Sequence, residues 1–183
     1  MFNPANKENH LLPDVLEHGL TTVFCGRAPS PESRRRGAYY AHPTNMFWKI
    51  LAETGLTDRC LKPEEFRELP RFGIGLTDLN KFEFGSDHEL TGEGDNPIEV
   101  YEKVVYYRPK ILAFTGKNNG SMFLASVFGR SRSRPVSCGE QDDCRIGETR
   151  IVILPSTSAR AKGYWDSRYW EELALLHNAR SHL

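Results

Sequence analysis

The sequence lacks long hydrophobic runs and closely spaced cysteine pairs, and each absence argues against a class of protein. Its apolar stretches are far shorter than the roughly 20 residues of a membrane-spanning helix. The cysteines are Cys25, Cys60, Cys138 and Cys144, of which only the last two are near each other. Structural zinc and iron–sulfur sites use more closely paired ligands, so we expect no metal centre. We expect reduced thiols in an intracellular protein, with Cys25 in the core.

Several catalytic signatures are also missing. The stretch Gly26-Arg27-Ala28-Pro29 does not match the glycine-rich dinucleotide fingerprint, and the sequence has neither a P-loop nor a Gly-x-Ser-x-Gly nucleophile elbow. His42 precedes a proline and fits a structural or orienting role better than a catalytic one. These absences set aside dinucleotide-dependent, P-loop and serine-hydrolase chemistry.

Net charge of one sign is absent too, because 24 basic residues balance 24 acidic ones. A zero total does not exclude a polyanionic partner, since a local patch is enough to attract one. The basic residues do cluster, at Arg34–Arg36, at Arg130, Arg132 and Arg134, and at Arg160 and Lys162.

Short, continuous apolar runs are separated by longer segments whose apolar residues recur at helical spacing, and this pattern predicts strands separated by helices. The predicted strands are 21–26, 72–79, 110–116 and 149–155, and the predicted helices are 45–55, 62–70, 96–109, 119–129 and 164–178. We expect residues 1–12 to be loosely held and residues 130–149 to form a loop or an irregular hairpin.

This order predicts a single α/β domain over residues 1–183, with a mainly parallel four-stranded sheet between helical layers. Ligands of open α/β sheets bind beyond the carboxyl ends of the strands. The segments that follow the strands, 26–40, 76–88, 116–120 and 155–162, are therefore the candidate site.

Four of these segments carry a family resemblance. The stretches VFCGRAPS…YYAHPTNMFWKIL, GIGLTDL, ILAFTGK and VILPSTSARAKGYWD…YWEEL resemble, in this order, the mismatch-specific uracil/thymine-DNA glycosylases of the uracil-DNA glycosylase superfamily. The resemblance runs from about residue 20 to residue 176. It implies a three-layer α/β/α fold and a monomeric, cofactor-free and metal-free enzyme. Such an enzyme extrudes a mismatched or damaged base from double-stranded DNA and hydrolyses its N-glycosidic bond.

The resemblance also assigns a base pocket. Gly26, Arg27, Ala28 and Pro29 match the pocket-floor motif, with Ser30 next to them as a DNA contact. Tyr40 matches the aromatic residue that stacks on the extruded base, five residues before Asn45, which we also assign to the pocket. The alternative for the pair Tyr39-Tyr40 is core packing.

One departure from the family affects the chemistry. Ala28 stands where the family motif has the asparagine that positions the attacking water, and a methyl group cannot take that role. Asp78 is the candidate replacement, because a carboxylate can orient water and stabilise an oxocarbenium-like sugar. A polar strand cap is the alternative for Asp78, and Asp87 and Glu83 are weaker candidates.

Lys81 and Lys117 fit phosphate contacts or surface charge better than a Schiff-base nucleophile, so we expect a monofunctional enzyme.

The second matched segment implies the DNA contacts. Ser156 and Ser158 match positions that hold the phosphates beside the extruded nucleotide, and Arg160, after Ala159, matches the side chain that fills the vacated space. A surface arginine that caps the final helix is the alternative for Arg160. Two interpretations of Arg34–Arg36 stay open, residues that flank the phosphate track and a solvated charged loop. Uracil opposite guanine is the first expected substrate, with thymine, hypoxanthine, xanthine or etheno-cytosine as further ones.

Two other readings remain open. The chain could be a lesion-binding module whose catalysis decayed with the asparagine, or an N-glycosidase acting on RNA or free nucleotides. The compact chain favours a bacterial cytoplasm, at the nucleoid, over a eukaryotic nucleus.

Overall fold

The computed structural model describes residues 10–131, 133 and 135–179, apart from the side chains of Lys162 and Tyr164. The predicted loose segment 1–12 therefore lies largely outside the described residues, as do Arg132 and Arg134. Within the described part, Leu12 is buried and the Leu11 backbone amide donates to the Lys81 carbonyl at 2.9 Å. Residues 11 and 12 are thus held against the folded chain, unlike the loose segment that the sequence predicted.

A five-stranded sheet forms the centre of the fold. Its strands are β1 (Thr22–Gly26), β2 (Ile74–Asp78), β3 (Ile111–Phe114), β4 (Gly139–Ile146) and β5 (Thr149–Ile153), in the order β2-β1-β3-β5-β4. All neighbours pair in parallel except β4, which pairs antiparallel with β5 at one edge. The predicted fold class and the four predicted strands are confirmed, and the strand count was one short. β4 falls in the segment 130–149, where the hairpin alternative is correct.

Within the described residues, five α-helices and two 3₁₀ helices surround the sheet. They are α1 (Pro31–Arg36), α2 (Phe47–Glu53), α3 (Pro97–Tyr107), α4 (Lys117–Phe128) and α5 (Arg168–Asn178), with 3₁₀ helices at Pro63–Phe72 and Ala159–Tyr164. Helix α3 begins as its sequence predicts, because the Asn96 side chain accepts from the Glu99 amide and Pro97 occupies the first turn. Helix α4 begins two residues before the predicted Asn119, whose side chain instead donates to the Cys25 carbonyl at 3.0 Å.

Alternating side chains of the central strands fill two cores, one on each face of the sheet. Phe24 packs with Phe47 of α2 and Trp170 of α5, at centroid distances of 5.3 and 5.6 Å. On the opposite face, Cys25 belongs to the cluster that includes Phe123 of α4. This arrangement gives the three-layer α/β/α architecture.

The site is positioned by the parallel strands. The carboxyl ends of β1, β2, β3 and β5 share one edge of the sheet, and β1 lies between β2 and β3. The chain leaves the end of β1 towards β2 on one side and leaves the end of β3 towards β4 and β5 on the other, and open α/β sheets form a ligand crevice where the connections diverge in this way.

Candidate active site

A cavity of about 670 Å³ lies at this edge of the sheet. Its walls are the segments that follow β1, β2, β3 and β5, which were the four candidate segments. The cavity brings together all twelve predicted site residues: Gly26, Arg27, Ala28, Pro29, Ser30, Tyr40, Asn45, Asp78, Ser156, Ser158, Ala159 and Arg160.

Asp78 is the last residue of β2 and lies in the wall of the cavity. Its side chain is almost fully buried, at 4% exposure, and its Oδ2 has no hydrogen-bond partner within the described part of the chain. Burial raises the pKa of Asp78 to about 6, and the nearby charge of Lys81 partly opposes this rise. Burying a carboxylate oxygen without a hydrogen-bond donor costs folding free energy. Titratable groups with perturbed pKa values of this kind are enriched in active sites.

Gly26 is what allows Asp78 and Tyr40 to approach each other. It pairs with Asp78 across the parallel β1–β2 ladder. A methyl group at Gly26 would collide with Asp78 Oδ1 and would lie 3.4 Å from the Tyr40 hydroxyl. The absence of a side chain at position 26 therefore leaves the carboxylate and the phenol on either side of one space.

Tyr40 has a strained backbone that directs its ring to this space. Its φ of 51° lies in the left-handed region, which costs a bulky residue on the order of 1–3 kcal/mol. The ring stacks on Phe47 at a centroid distance of 3.9 Å, and its hydroxyl lies 3.1 Å from the Thr115 hydroxyl. Burial raises the pKa of Tyr40 well above its ordinary value, so the hydroxyl stays neutral.

Tyr39 differs from Tyr40, although the two are adjacent. It is 2% exposed, and its hydroxyl accepts a hydrogen bond from Lys81 Nζ at 3.0 Å. The core-packing alternative therefore fits Tyr39, and Tyr40 is the half-buried member of the pair.

Arg27 holds the segment after β2 against the segment after β1. Its guanidinium donates to the Asp95 carboxylate at 2.8 Å and to the Asp87 carbonyl at 3.0 Å.

The two weaker acidic candidates have partners of their own. Glu83 accepts hydrogen bonds from Asn80 and Thr91 within the same loop, and its pKa is lowered to about 2, chiefly by the Thr91 hydrogen bond. Asp87 lines the cavity but accepts from Asn118 at 2.7 Å.

The remaining pocket residues have mixed environments. Ala28 and Pro29 present only apolar side chains to the cavity. Asn45 accepts from the Phe47 amide at 2.9 Å, which positions the start of α2 beneath Tyr40. His42 is exposed, and its Nδ1 lies 2.9 Å from the Thr44 hydroxyl.

The predicted DNA-contact residues lie on the rim. Ser156 and Ser158 form a compact turn in which their hydroxyls accept from the amides of Ser158 and Arg160, at 3.3 and 3.4 Å. Arg160 is exposed in the second 3₁₀ helix. Ser30 caps helix α1 by accepting from the Ser33 amide at 3.1 Å, so its hydroxyl is already engaged.

Lys81 is a correction to the sequence prediction. Neither a phosphate contact nor surface charge is compatible with its side chain, which is 2% exposed and lies 2.7 Å from Asp14 Oδ1. Lys117, in contrast, is exposed on the cavity wall, as its prediction requires.

Three residues after β3 were not singled out from the sequence. Thr115 contacts Tyr40, Asn119 holds the end of β1 through Cys25, and Asn118 binds Asp87. The polar run Thr-Gly-Lys-Asn-Asn directly after a buried strand was the available signal. The selected segment 116–120 included Asn118 and Asn119, whereas Thr115 had been placed in the predicted strand.

Neither a metal centre nor a membrane helix is found in the part of the chain that the structure describes. There, no three histidine, cysteine or acidic side chains converge as a metal site would require, and no helix combines the length and apolarity of a bilayer span.

The fold and the cavity together define a class of α/β protein that binds its ligand at the carboxyl edge of a mainly parallel sheet. A family comparison makes the class specific, because residues 13–178 match the uracil DNA glycosylase superfamily. The chain therefore belongs to this superfamily of enzymes, which act on DNA.

A solved structure agrees with the fold. The chain is similar to an NMR structure from Methanosarcina acetivorans described as a candidate uracil DNA glycosylase, with 22% identity and a TM-score of 0.59. The match covers 91% of this chain and 96% of the other. At this level of identity the similarity supports the architecture and not the substrate.

Proposed function

We propose that this chain is a monofunctional, monomeric DNA glycosylase of the mismatch-specific type, with uracil opposite guanine as its first substrate. The observation that carries the proposal is the carboxylate of Asp78 in the cavity wall next to Gly26 and Tyr40, whose buried Oδ2 has no hydrogen-bond partner among the described residues. Thymine, hypoxanthine, xanthine and etheno-cytosine opposite guanine are further substrates to test.

The proposed reaction begins with extrusion of the base into the cavity. Unpairing costs a few kcal/mol and is cheapest for a mismatched base, which contributes to selectivity. The extruded base lies against Tyr40, whose ring is held by Phe47 and whose hydroxyl is held by Thr115. Because Tyr40 is fixed before binding, little conformational entropy is lost when the base stacks on it.

Asp78 then acts on the sugar and the water. Its negative charge stabilises the cationic sugar that develops as the bond between C1′ and the base nitrogen breaks. The electron pair of that bond leaves with the base. A water oriented by Asp78 adds its oxygen to C1′, and its proton is accepted by Asp78 or by the departing base. With a pKa of about 6, Asp78 is mostly ionised at neutral pH but remains a competent base.

The rim holds the DNA in this proposal. Ser156 and Ser158 bind phosphates of the lesion strand, and Arg160 enters the space that the extruded base vacates. Hydrolysis by water, without a lysine nucleophile, is supported by the burial of Lys81 in an ion pair with Asp14. Lys117 contributes positive charge at the rim.

A second candidate function rests on Ala28. Because a methyl group stands at the water-positioning place of the family motif and lines the cavity, the chain could recognise lesions without cutting them. Such a module would keep Tyr40, Ser156, Ser158 and Arg160 as binding residues.

A single-turnover assay separates these functions. Duplexes with one U·G, T·G or hypoxanthine-containing pair are mixed with excess protein, and free base is measured alongside duplex binding. The proposed function predicts base release from at least the U·G duplex and no strand cleavage by the enzyme itself. Tight binding without release on every duplex would leave the lesion-binding module. Release only from RNA or free deoxyuridine would instead indicate a nucleotide- or RNA-directed N-glycosidase.

A further inference from the structure

The three consecutive arginines of helix α1 have three different environments. Arg35 forms an ion pair with Glu32 at 2.5 Å, and Arg36 forms one with Glu64 at 2.5 Å. Arg34 has no carboxylate partner within the described residues, and its guanidinium lies 4.1 Å from the centroid of the Phe84 ring. The positive charge of Arg34 is therefore available to an outside partner, whereas the other two are internally balanced.

Phe84 is unusual for its position. It is 39% exposed, on a segment that is otherwise rich in polar and acidic residues. A guanidinium stacked on a phenyl ring is a favourable pair that fixes the orientation of both groups. The result is an exposed aromatic surface with a cation fixed beside it.

This pair is attached directly to the wall of the cavity. The next residue, Gly85, donates its amide to the Pro29 carbonyl at 2.9 Å, and both residues line the cavity. Arg34 likewise follows Ser33, which also lines the cavity. The Arg34–Phe84 pair therefore lies next to the cavity wall on the side of β1 and β2, although neither residue lines the cavity itself.

The other side of the rim carries Ser156, Ser158 and Arg160, after β5. Strands β2 and β5 are separated by β1 and β3, so their ends lie roughly 14 Å apart at about 4.8 Å per strand spacing. A nucleotide extruded between the two sides would leave its neighbours in the strand close to both.

We propose that Arg34 and Phe84 form a second DNA-contact point, in which Arg34 binds a backbone phosphate of the lesion strand and Phe84 packs against an unstacked base of that strand. This inference rests on the proposed function, because it needs DNA in the cavity. Guanidinium groups suit phosphates, and aromatic faces bind unstacked bases without reading their sequence.

The test uses a duplex that contains a stable abasic-site analogue, so that binding is measured without turnover. Fluorescence anisotropy gives Kd over a range of salt concentrations for Arg34→Gln and for its matched control Arg35→Gln. The control removes the same charge from the same helix, but from an arginine that is already paired.

We expect Arg34→Gln to weaken binding about tenfold and to reduce the slope of log Kd against log salt concentration by about one. Arg35→Gln keeps the slope of the unmodified protein. Phe84→Leu weakens binding about tenfold with no change of slope, since it removes an aromatic face and not a charge.

Equal slopes for Arg34→Gln and Arg35→Gln, or unchanged binding by Phe84→Leu, would overturn the inference while the unmodified protein still binds and cuts. A protein that neither binds nor cuts DNA in its unmodified form would overturn the proposed function, and this contact point with it. Thermal unfolding of each variant checks that these exposed substitutions leave the fold intact.

Discussion

Two aspartates near β2, one buried and one largely buried, have opposite surroundings. Asp14 lies 2.7 Å from Lys81 and 2.8 Å from Lys103, and it accepts a hydrogen bond from Thr77 at 2.8 Å. Burial alone would raise the pKa of Asp14, but the two lysine charges outweigh burial and lower it to about 2. Asp78 directly follows Thr77 in the strand, yet no donor reaches its Oδ2 among the described residues, and its pKa is about 6.

The difference separates a structural carboxylate from an available one. Thr77 and Asp78 are consecutive in a strand, so their side chains leave opposite faces of the sheet. One face supplies donors for Asp14, and the other leaves Asp78 at the cavity. Both carboxylates are largely withdrawn from solvent, and their unequal partners are the basis for proposing a stabilising role for Asp14 and a chemical role for Asp78.

The largest expected effect is on the reaction. Asp78→Asn should lower single-turnover base release from a U·G duplex by about 10²–10⁴-fold, because it removes the charge that orients water and stabilises the sugar cation. Asp87→Asn is the matched control, since Asp87 lines the same cavity but is 54% exposed. It should retain most of the rate, and an equal loss in both variants would remove the distinction.

The next effect is on stability and concerns the other aspartate. Asp14→Asn leaves two buried lysines without their shared carboxylate, which should lower the free energy of unfolding by about 3–5 kcal/mol. Urea denaturation at neutral pH measures this loss. A change below about 1 kcal/mol would show that Asp14 is not the stabilising member of the comparison.

Asp78→Asn should raise the free energy of unfolding, whereas Asp14→Asn should lower it. The folded-state pKa of Asp78, about 6, lies above the ordinary value of 3.8, so the folded state holds the proton more tightly. Stability therefore falls as pH rises from about 4 to 6, and the amide variant escapes this loss. The variant should gain up to about 3 kcal/mol at pH 8 and little at pH 4. Urea curves at both pH values test this, and a loss at pH 8 would contradict it.

The smallest expected effect concerns the hydrogen bond from Thr77 to Asp14. Thr77→Val keeps the shape of the side chain but removes one of the donors to Asp14, while both lysines remain. The expected loss is about 1 kcal/mol of unfolding free energy in urea, without a change in base release. A large drop in base release would instead link the Asp14 side of the strand to the reaction.

The sequence was sufficient for the architecture because buried strands and amphipathic helices have distinct periodicities. β4 was not separated from a loop, since its residues are mostly polar and it pairs at an edge, with an irregular register between Glu140 and Arg145. Asp78 was proposed from the family resemblance, which places a side chain of the second strand in the pocket, and the structure puts it in the cavity wall at the end of β2.

The burial of Lys81 could not be predicted from the pattern of the sequence. Lys81 follows a strand and precedes a polar loop, which is typical of surface charge, but its partner Asp14 is 67 positions away in the chain. The left-handed backbone of Tyr40 is equally invisible in the sequence, because tyrosine rarely adopts it. Such features depend on tertiary contacts that no local pattern encodes.

The pH dependence of single-turnover base release tests the central claim most directly. If the ionised Asp78 carboxylate drives the reaction, the rate on a saturated U·G duplex should rise with pH, with a midpoint near the pKa of about 6, and level off above it. The residual rate of Asp78→Asn should lack this step. A profile for the unmodified protein that stays flat from pH 5 to pH 8 would contradict the assignment of Asp78.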